Sequence, residues 1–102
     1  MNLRETQDLC IEIRDQYAES NTANGRKPWS TRDYAEGLTI DVAGLTKMLM
    51  IEDGLRSGDS SRKKIAHELM DIVWSSFVIA DELDIDLADE LPAQLEALRS
   101  RF

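Results

Sequence analysis

Residues 61–83 carry apolar side chains at helical spacing on two sides at once, and that stretch constrains the fold more than any other. Ile65, Leu69, Ile72, Ser76, Ala80 and Leu83 fall on one face at a period of 3.6 residues, while Met70, Trp74, Phe77 and Val78 fall outside it. A helix apolar on two sides is either central in its own domain or buried twice, once in its own core and once against a partner chain. The sequence has 102 residues, which suits one domain over residues 1–102 and makes two improbable. In so short a chain the pattern predicts a homo-oligomer.

The flanking segments also read as helices. Asn2 is placed to cap a helix starting at Leu3, with Glu5 in its first turn and an apolar stripe of Leu3, Leu9, Cys10, Ile13 and Tyr17. The pattern dissolves in residues 21–28, a polar segment with turn chemistry. Ser30 followed by Asp33 is a capping signal for a second helix from Thr31 to about Asp53, stopped by Gly54. Residues 55–60 read as a loop, and Ser60 or Ser61 caps the third helix. Asp86 caps a fourth segment, with Pro92 either kinking it or lying in its first turn. No segment alternates for long with period two. The expected fold is all-α, with about four helices in a bundle.

Composition narrows the function. With 42% hydrophobic residues the chain can build a core. Asp and Glu number 20 against 12 Lys and Arg, a net charge of −8, which argues against a nucleic-acid polymer as partner. Cys10 stands alone, excluding an internal disulfide and a Cys-based zinc site. The best apolar run, residues 72–80, is short and contains Ser75 and Ser76, far from the roughly 20 residues that span a bilayer. Residues 1–5 show no apolar signal core. These features predict a soluble, cytoplasmic protein with no membrane partner.

Glu68 and Asp71 lie three residues apart on the third helix, so their carboxylates emerge as neighbours on the flank of the stripe centred on Ile65. Acids at the edge of a core must be paired, hydrated or metal-bound. The second helix, with a stripe of Leu38, Val42, Leu45 and Leu49, repeats the arrangement: Asp41 stands to Leu38 as Glu68 stands to Ile65, and Gly44 takes the place of Asp71. If the two helices pack antiparallel across their short connection, Asp41, Glu68 and Asp71 converge as hard oxygen ligands for Mg²⁺ or Mn²⁺ with a bound polyphosphate. The alternative is structural: Lys64, four residues before Glu68, pairs with it and no metal binds.

Residues 64–74, with Glu68 and Asp71 three apart and Trp74 following, resemble the third-helix signature of the MazG-like nucleotide pyrophosphohydrolases, the all-α NTP pyrophosphatases. Residues 41–47 resemble that family's preceding helix, and Ile85-Asp86-Leu87 the start of its last one. The likeness runs from about Leu3 to Leu98. It implies a helical fold assembling into a dimer or dimer of dimers, and Mg²⁺-dependent cleavage of nucleoside triphosphates to monophosphate and pyrophosphate, a house-cleaning activity on the nucleotide pool. The family supplies metal through E-x-x-E on the second helix and E-x-x-D on the third. Glu68 and Asp71 match the third-helix pair as catalytic metal ligands, and Asp41 stands in for the first Glu of the second. Gly44 has no side chain where the fourth acid belongs, which implies a weakened or relaxed metal site with one metal fewer, or loss of turnover. The alternative function is a non-catalytic nucleotide-binding or interaction homologue that keeps the helical oligomer. A third reading is a purely structural bundle. Glu52 lies eleven residues from Asp41, roughly 16 Å along a helix, too far to replace the missing acid.

Lys47 and Lys64 are candidate phosphate contacts, Lys64 the better because it shares the acid flank. Trp29, just before the second helix, either stacks on a base or forms a hydrophobic staple against the helix start. Trp74 reads as core or subunit interface, His67 as an interfacial or solvated side chain, and Cys10 as a small buried residue. Gly44 reads either as close approach of a ligand or helix, or as drift at a site that lost its acid; the balance favours drift.

Overall fold

Four capping side chains each start a helix in the computed structural model of the protein, which describes residues 1–102: α1 Leu3–Ala23, α2 Thr31–Glu52, α3 Arg62–Glu82 and α4 Leu87–Arg99. Asn2 Oδ1 accepts from the Glu5 amide at 2.8 Å while Glu5 Oε1 accepts from the Asn2 amide at 3.3 Å. Ser30 and Asp33 form the same reciprocal box at 3.2 and 2.8 Å. Ser61, not Ser60, caps α3 by accepting from the Lys64 amide at 3.3 Å. Asp86 caps α4 by accepting from the Asp89 amide. Pro92 lies beyond the first turn of α4, inside the helix, where it deprives the Ala88 carbonyl of its usual amide donor. The fold is all-helical, as the absence of period-two patterning required.

α3 is the central element. It packs against α2, α1 and α4, and five of the nine buried residues of the chain, Ile65, Ser75, Phe77, Val78 and Ala80, belong to it. α2 runs back along α3 as an antiparallel hairpin, for Tyr34 meets Trp74, Gly44 meets Glu68, and Glu52 pairs with Arg62 at 3.6 Å. α1 packs on α3 and α4, and its backbone does not come close to that of α2. α4 is tied at its start only. Buried Gln7 of α1 accepts from the Ala88 amide at 2.9 Å and donates to Asp86 at 3.1 Å, and Arg4 reaches Asp86 and Asp89 at 3.0 and 2.7 Å.

The buried faces of the two long helices differ from the expected stripes. On α3 the side facing α2 runs through Ile65, Glu68, Asp71, Ile72, Ser75 and Val78, while Leu69 and Leu83 are exposed. On α2 it runs through Tyr34, Leu38, Asp41, Gly44, Leu45, Met48 and Ile51, with Val42 and Leu49 exposed. Both helices are thus rotated so that the acid-bearing line sits between them, not on a flank. The central reading of α3 holds over its C-terminal half, and its N-terminal half keeps an apolar side uncovered. Every residue from 74 to 81 is buried or partly buried within the chain, whereas Leu69, Met70 and Val73 are about half exposed.

Candidate metal centre and adjoining cleft

Antiparallel pairing of α2 and α3 places position 41 beside position 71 and position 44 beside position 68. Ligand oxygens of Asp41, Glu68 and Asp71 therefore come within 4.8 Å of one another. No basic side chain neutralises Glu68. Lys64 turns away to Asp59, Nζ to Oδ2 3.1 Å, so the pairing that would have made the acids structural is absent. Glu68 Oε2 is shielded from solvent and has no hydrogen-bond partner. An orphaned buried carboxylate oxygen is costly, because the group has given up its water without replacement. Asp71 has one neighbour of opposite tendency, His67, whose Nε2 lies 3.4 Å from Oδ2 one turn earlier on the same helix. The Asp41 carboxyl is held above its ordinary range, first by burial and then by repulsion from Asp71, with His67 opposing. Three carboxylates pressed together, one with an unmet oxygen, have the donor chemistry of a site for a hard divalent cation.

The space at position 44 is taken. A Cβ built on Gly44 would stand 3.3 Å from Glu68 Oε2, 3.4 Å from its Cδ and 3.5 Å from Oε1. Close approach, and not open space left by a lost acid, describes this glycine. Glu52 is occupied at the far end of the hairpin with Arg62.

Because α1 and α2 each pack on α3 while their backbones stay apart, a cleft of about 610 Å³ opens between them. Four rings wall it, Tyr17, Trp29, Tyr34 and Trp74, packed edge to face or tilted at centroid separations of 5.4 to 6.0 Å. Asn21 and Arg26 supply polar groups, and Asp71 belongs to both the cleft and the acid cluster. Trp29 sits one residue before the Ser30 cap and packs on Tyr34 at the fourth helical position, the staple geometry. It also lines the cleft and is half exposed, so the two readings of Trp29 are compatible. Trp74 is partly buried and forms a wall of the cleft, its Nε1 donating to the Cys10 carbonyl at 3.1 Å. Cys10 is buried, and burial raises its thiol pKa.

Neither Lys64 nor Lys47 lines the cleft; both are exposed, and Lys64 is engaged with Asp59. Arg26 is the cation that does line it. Its position in a polar connector offered no periodic signal, and only the closure of the connector against α3 brings it there. Tyr17 and Tyr34 were hidden for a different reason, since an aromatic at a helical core position reads the same whether it faces a neighbour or a cavity.

Compared with known protein families, with characterised proteins and with solved structures, the chain matches none, so the meaning of this centre rests on its geometry.

Proposed function

We propose that the protein is a Mg²⁺- or Mn²⁺-dependent nucleoside triphosphate pyrophosphohydrolase of the MazG-like kind, releasing monophosphate and pyrophosphate. The observation that carries this reading is the convergence of Asp41, Glu68 and Asp71, with a shielded and unpartnered Glu68 oxygen, at the end of an aromatic cleft that shares Asp71. A pocket of this volume matches small-molecule sites in general. Its flat apolar walls suit a nucleobase, which any aromatic face can stack. Asn21 offers both donor and acceptor to a base edge, and Arg26 offers donors to sugar or phosphate oxygens.

Asp41, Glu68 and Asp71 would hold the cation, and Asp71 would fix its position relative to the bound ring. A divalent ion held by these three residues would supply charge neutralisation to the phosphates and lower the pKa of the attacking water. The reaction consumes one water, which adds across the anhydride linkage between the α- and β-phosphorus atoms, so that one side leaves as the nucleoside monophosphate and the other as pyrophosphate. Pyrophosphate release from a panel of nucleoside triphosphates, with and without Mg²⁺, tests the proposal. Wild type should turn over only with the metal, and Glu68→Ala should lose at least a hundredfold. Turnover untouched by Glu68→Ala would refute it. The presence of three acids where the resembled family has four favours one competing reading, nucleotide binding without hydrolysis. Thermal stabilisation by a nucleotide with no product formed would select that reading.

We further propose that the working form is a homodimer or a dimer of dimers. Nine residues of 102 are buried, and the accessible surface is 7491 Å². A compact monomer of 11.6 kDa exposes about 5,800 Å². The radius of gyration, 16.2 Å, exceeds the roughly 13 Å of a compact chain of this length. The surplus surface, about 1,700 Å² per chain, is the scale that an obligate homodimer hides. Leu69 and Val73 on α3, Ile40 on α2, and Leu91, Leu95 and Leu98 on α4 supply apolar surface for it.

A further inference from the structure

Gly44 is in the middle of α2, where glycine is a less favourable choice than alanine. Nothing in the backbone asks for it. The positive-φ glycines are Gly25, Gly54 and Gly58, and Gly44 is not among them. What is special about position 44 lies across the helix interface: the whole carboxylate of Glu68 lies against it, each atom 3.3 to 3.5 Å from where a Cβ would be. Contacts at the short end of that range are tighter than side chains ordinarily tolerate, so even a methyl group there would push the carboxylate back toward α3.

We infer that Gly44 is the seat of Glu68: by withholding a side chain from α2 it lets that carboxylate close against the helix, so that Asp41, Glu68 and Asp71 form a cage for a single divalent cation per chain. The inference rests on the metal reading above and reverses the meaning of the glycine, from a defect in a larger site to the element that shapes a smaller one. Two further observations support it. Glu68 Oε2, the atom nearest the glycine, is also the shielded oxygen without a partner. The three ligand oxygens fall within 4.8 Å, close to the roughly 4.2 Å that separates opposite ligands of one Mg²⁺. A second ion, about 3.5–4 Å from the first, would need further acids on the α2 side, and the position from which one would come is filled by Glu68 itself.

The test is Mn²⁺ binding to the intact chain by calorimetry, paired with thermal melts in chelator. Wild type should take up one Mn²⁺ per chain, and Glu68→Gln should lose that binding. Gly44→Ala should bind Mn²⁺ at least threefold more weakly. In the metal-free state, Gly44→Ala placed in a Glu68→Ala background should raise Tm by about 4–8 °C, and by clearly less in the wild-type background, where the methyl meets the carboxylate. Equal Mn²⁺ affinity in wild type and Gly44→Ala, or equal Tm gains in both backgrounds, would overturn the role of Gly44 while leaving the metal centre standing. Two ions per chain would overturn the single-ion cage. No Mn²⁺ uptake by wild type would instead remove the metal reading on which the inference rests.

Discussion

Asp41 illustrates the tension within the cluster. Its carboxyl is raised above the ordinary range by burial and by Asp71, so the folded chain binds a proton there more tightly than the unfolded chain does. Stability from this group is therefore highest at acid pH and declines as pH rises from the ordinary carboxylate range through the raised value. Asp86 behaves in the opposite sense. The Gln7 hydrogen bond, followed by Arg4, holds it below its ordinary range, and its contribution is present at neutral pH and lost as pH falls through the lowered value. In chelator at pH 7, Asp41→Asn should raise Tm by about 3 °C, the scale of a half-kcal/mol change in a domain of this length. The gain should shrink as pH is lowered toward the carboxylate range, where wild-type Asp41 takes up its own proton. The same variant should lose Mn²⁺ binding. Stability and metal affinity moving in opposite directions identifies a group kept for the ligand and not for the fold; a drop in Tm on Asp41→Asn would contradict this account.

At the scale of elements, the caps were legible because each is a local bargain between a side chain and amides three residues on. Asn2, Ser30 and Asp86 announce their helices whatever surrounds them. The rotation of each helix was not legible. α1 turns inward through Leu3, Gln7, Cys10 and Arg14, and polar Gln7 and Arg14 look like surface residues until their partners on α3 and α4 are known. Arg14 is nearly covered and engages Asp81 at 2.8 Å and Glu82 at 3.4 Å. Gln7 serves α4 by satisfying the Ala88 amide and bracing the Asp86 cap. Gln7→Ala leaves that buried amide without an acceptor, at a cost of about 1–3 kcal/mol, which corresponds to a fall in Tm of roughly 5–15 °C. Hydrogen exchange should show α4 losing protection first. A melt within 1–2 °C of wild type, set against that scale, would show that α4 is held by other contacts.

The whole molecule is more open than its length warrants, and its apolar surface is distributed along elements that the chain cannot cover by itself. Leu91, Leu95 and Leu98 recur at helical spacing on α4, whose residues beyond Ala88 are all exposed. Leu69 and Val73 do the same on the half of α3 that α1 leaves bare. Light scattering should give a solution mass at least twice 11.6 kDa. Val73→Asp, which puts a charge into the proposed contact without touching the acid cluster, should shift the population toward monomer at micromolar concentration. A wild type that is monomeric at all accessible concentrations would refute the assembly.

Helix number, helix starts and the spacing of Glu68 and Asp71 were written in residue order, because caps, turn chemistry and three-residue spacing act over one or two turns and survive any tertiary arrangement. The approach of Asp41 to that pair was legible only on the condition that α2 and α3 pack antiparallel. The resemblance to MazG-like enzymes also arose there, from the order and spacing of acids around Trp74. What depended on three dimensions was which way each helix faced. One rotation of α2 against α3 moved the acids from a flank to the interface, seated Glu68 on Gly44, sent Lys64 to Asp59, and left the gap in which Arg26 and four aromatic rings meet. Periodicity specifies that a helix has a buried side, but several neighbouring lines of side chains fit the same pattern equally well. Only the packing of a partner helix, by choosing which line can approach closely enough, selects among them.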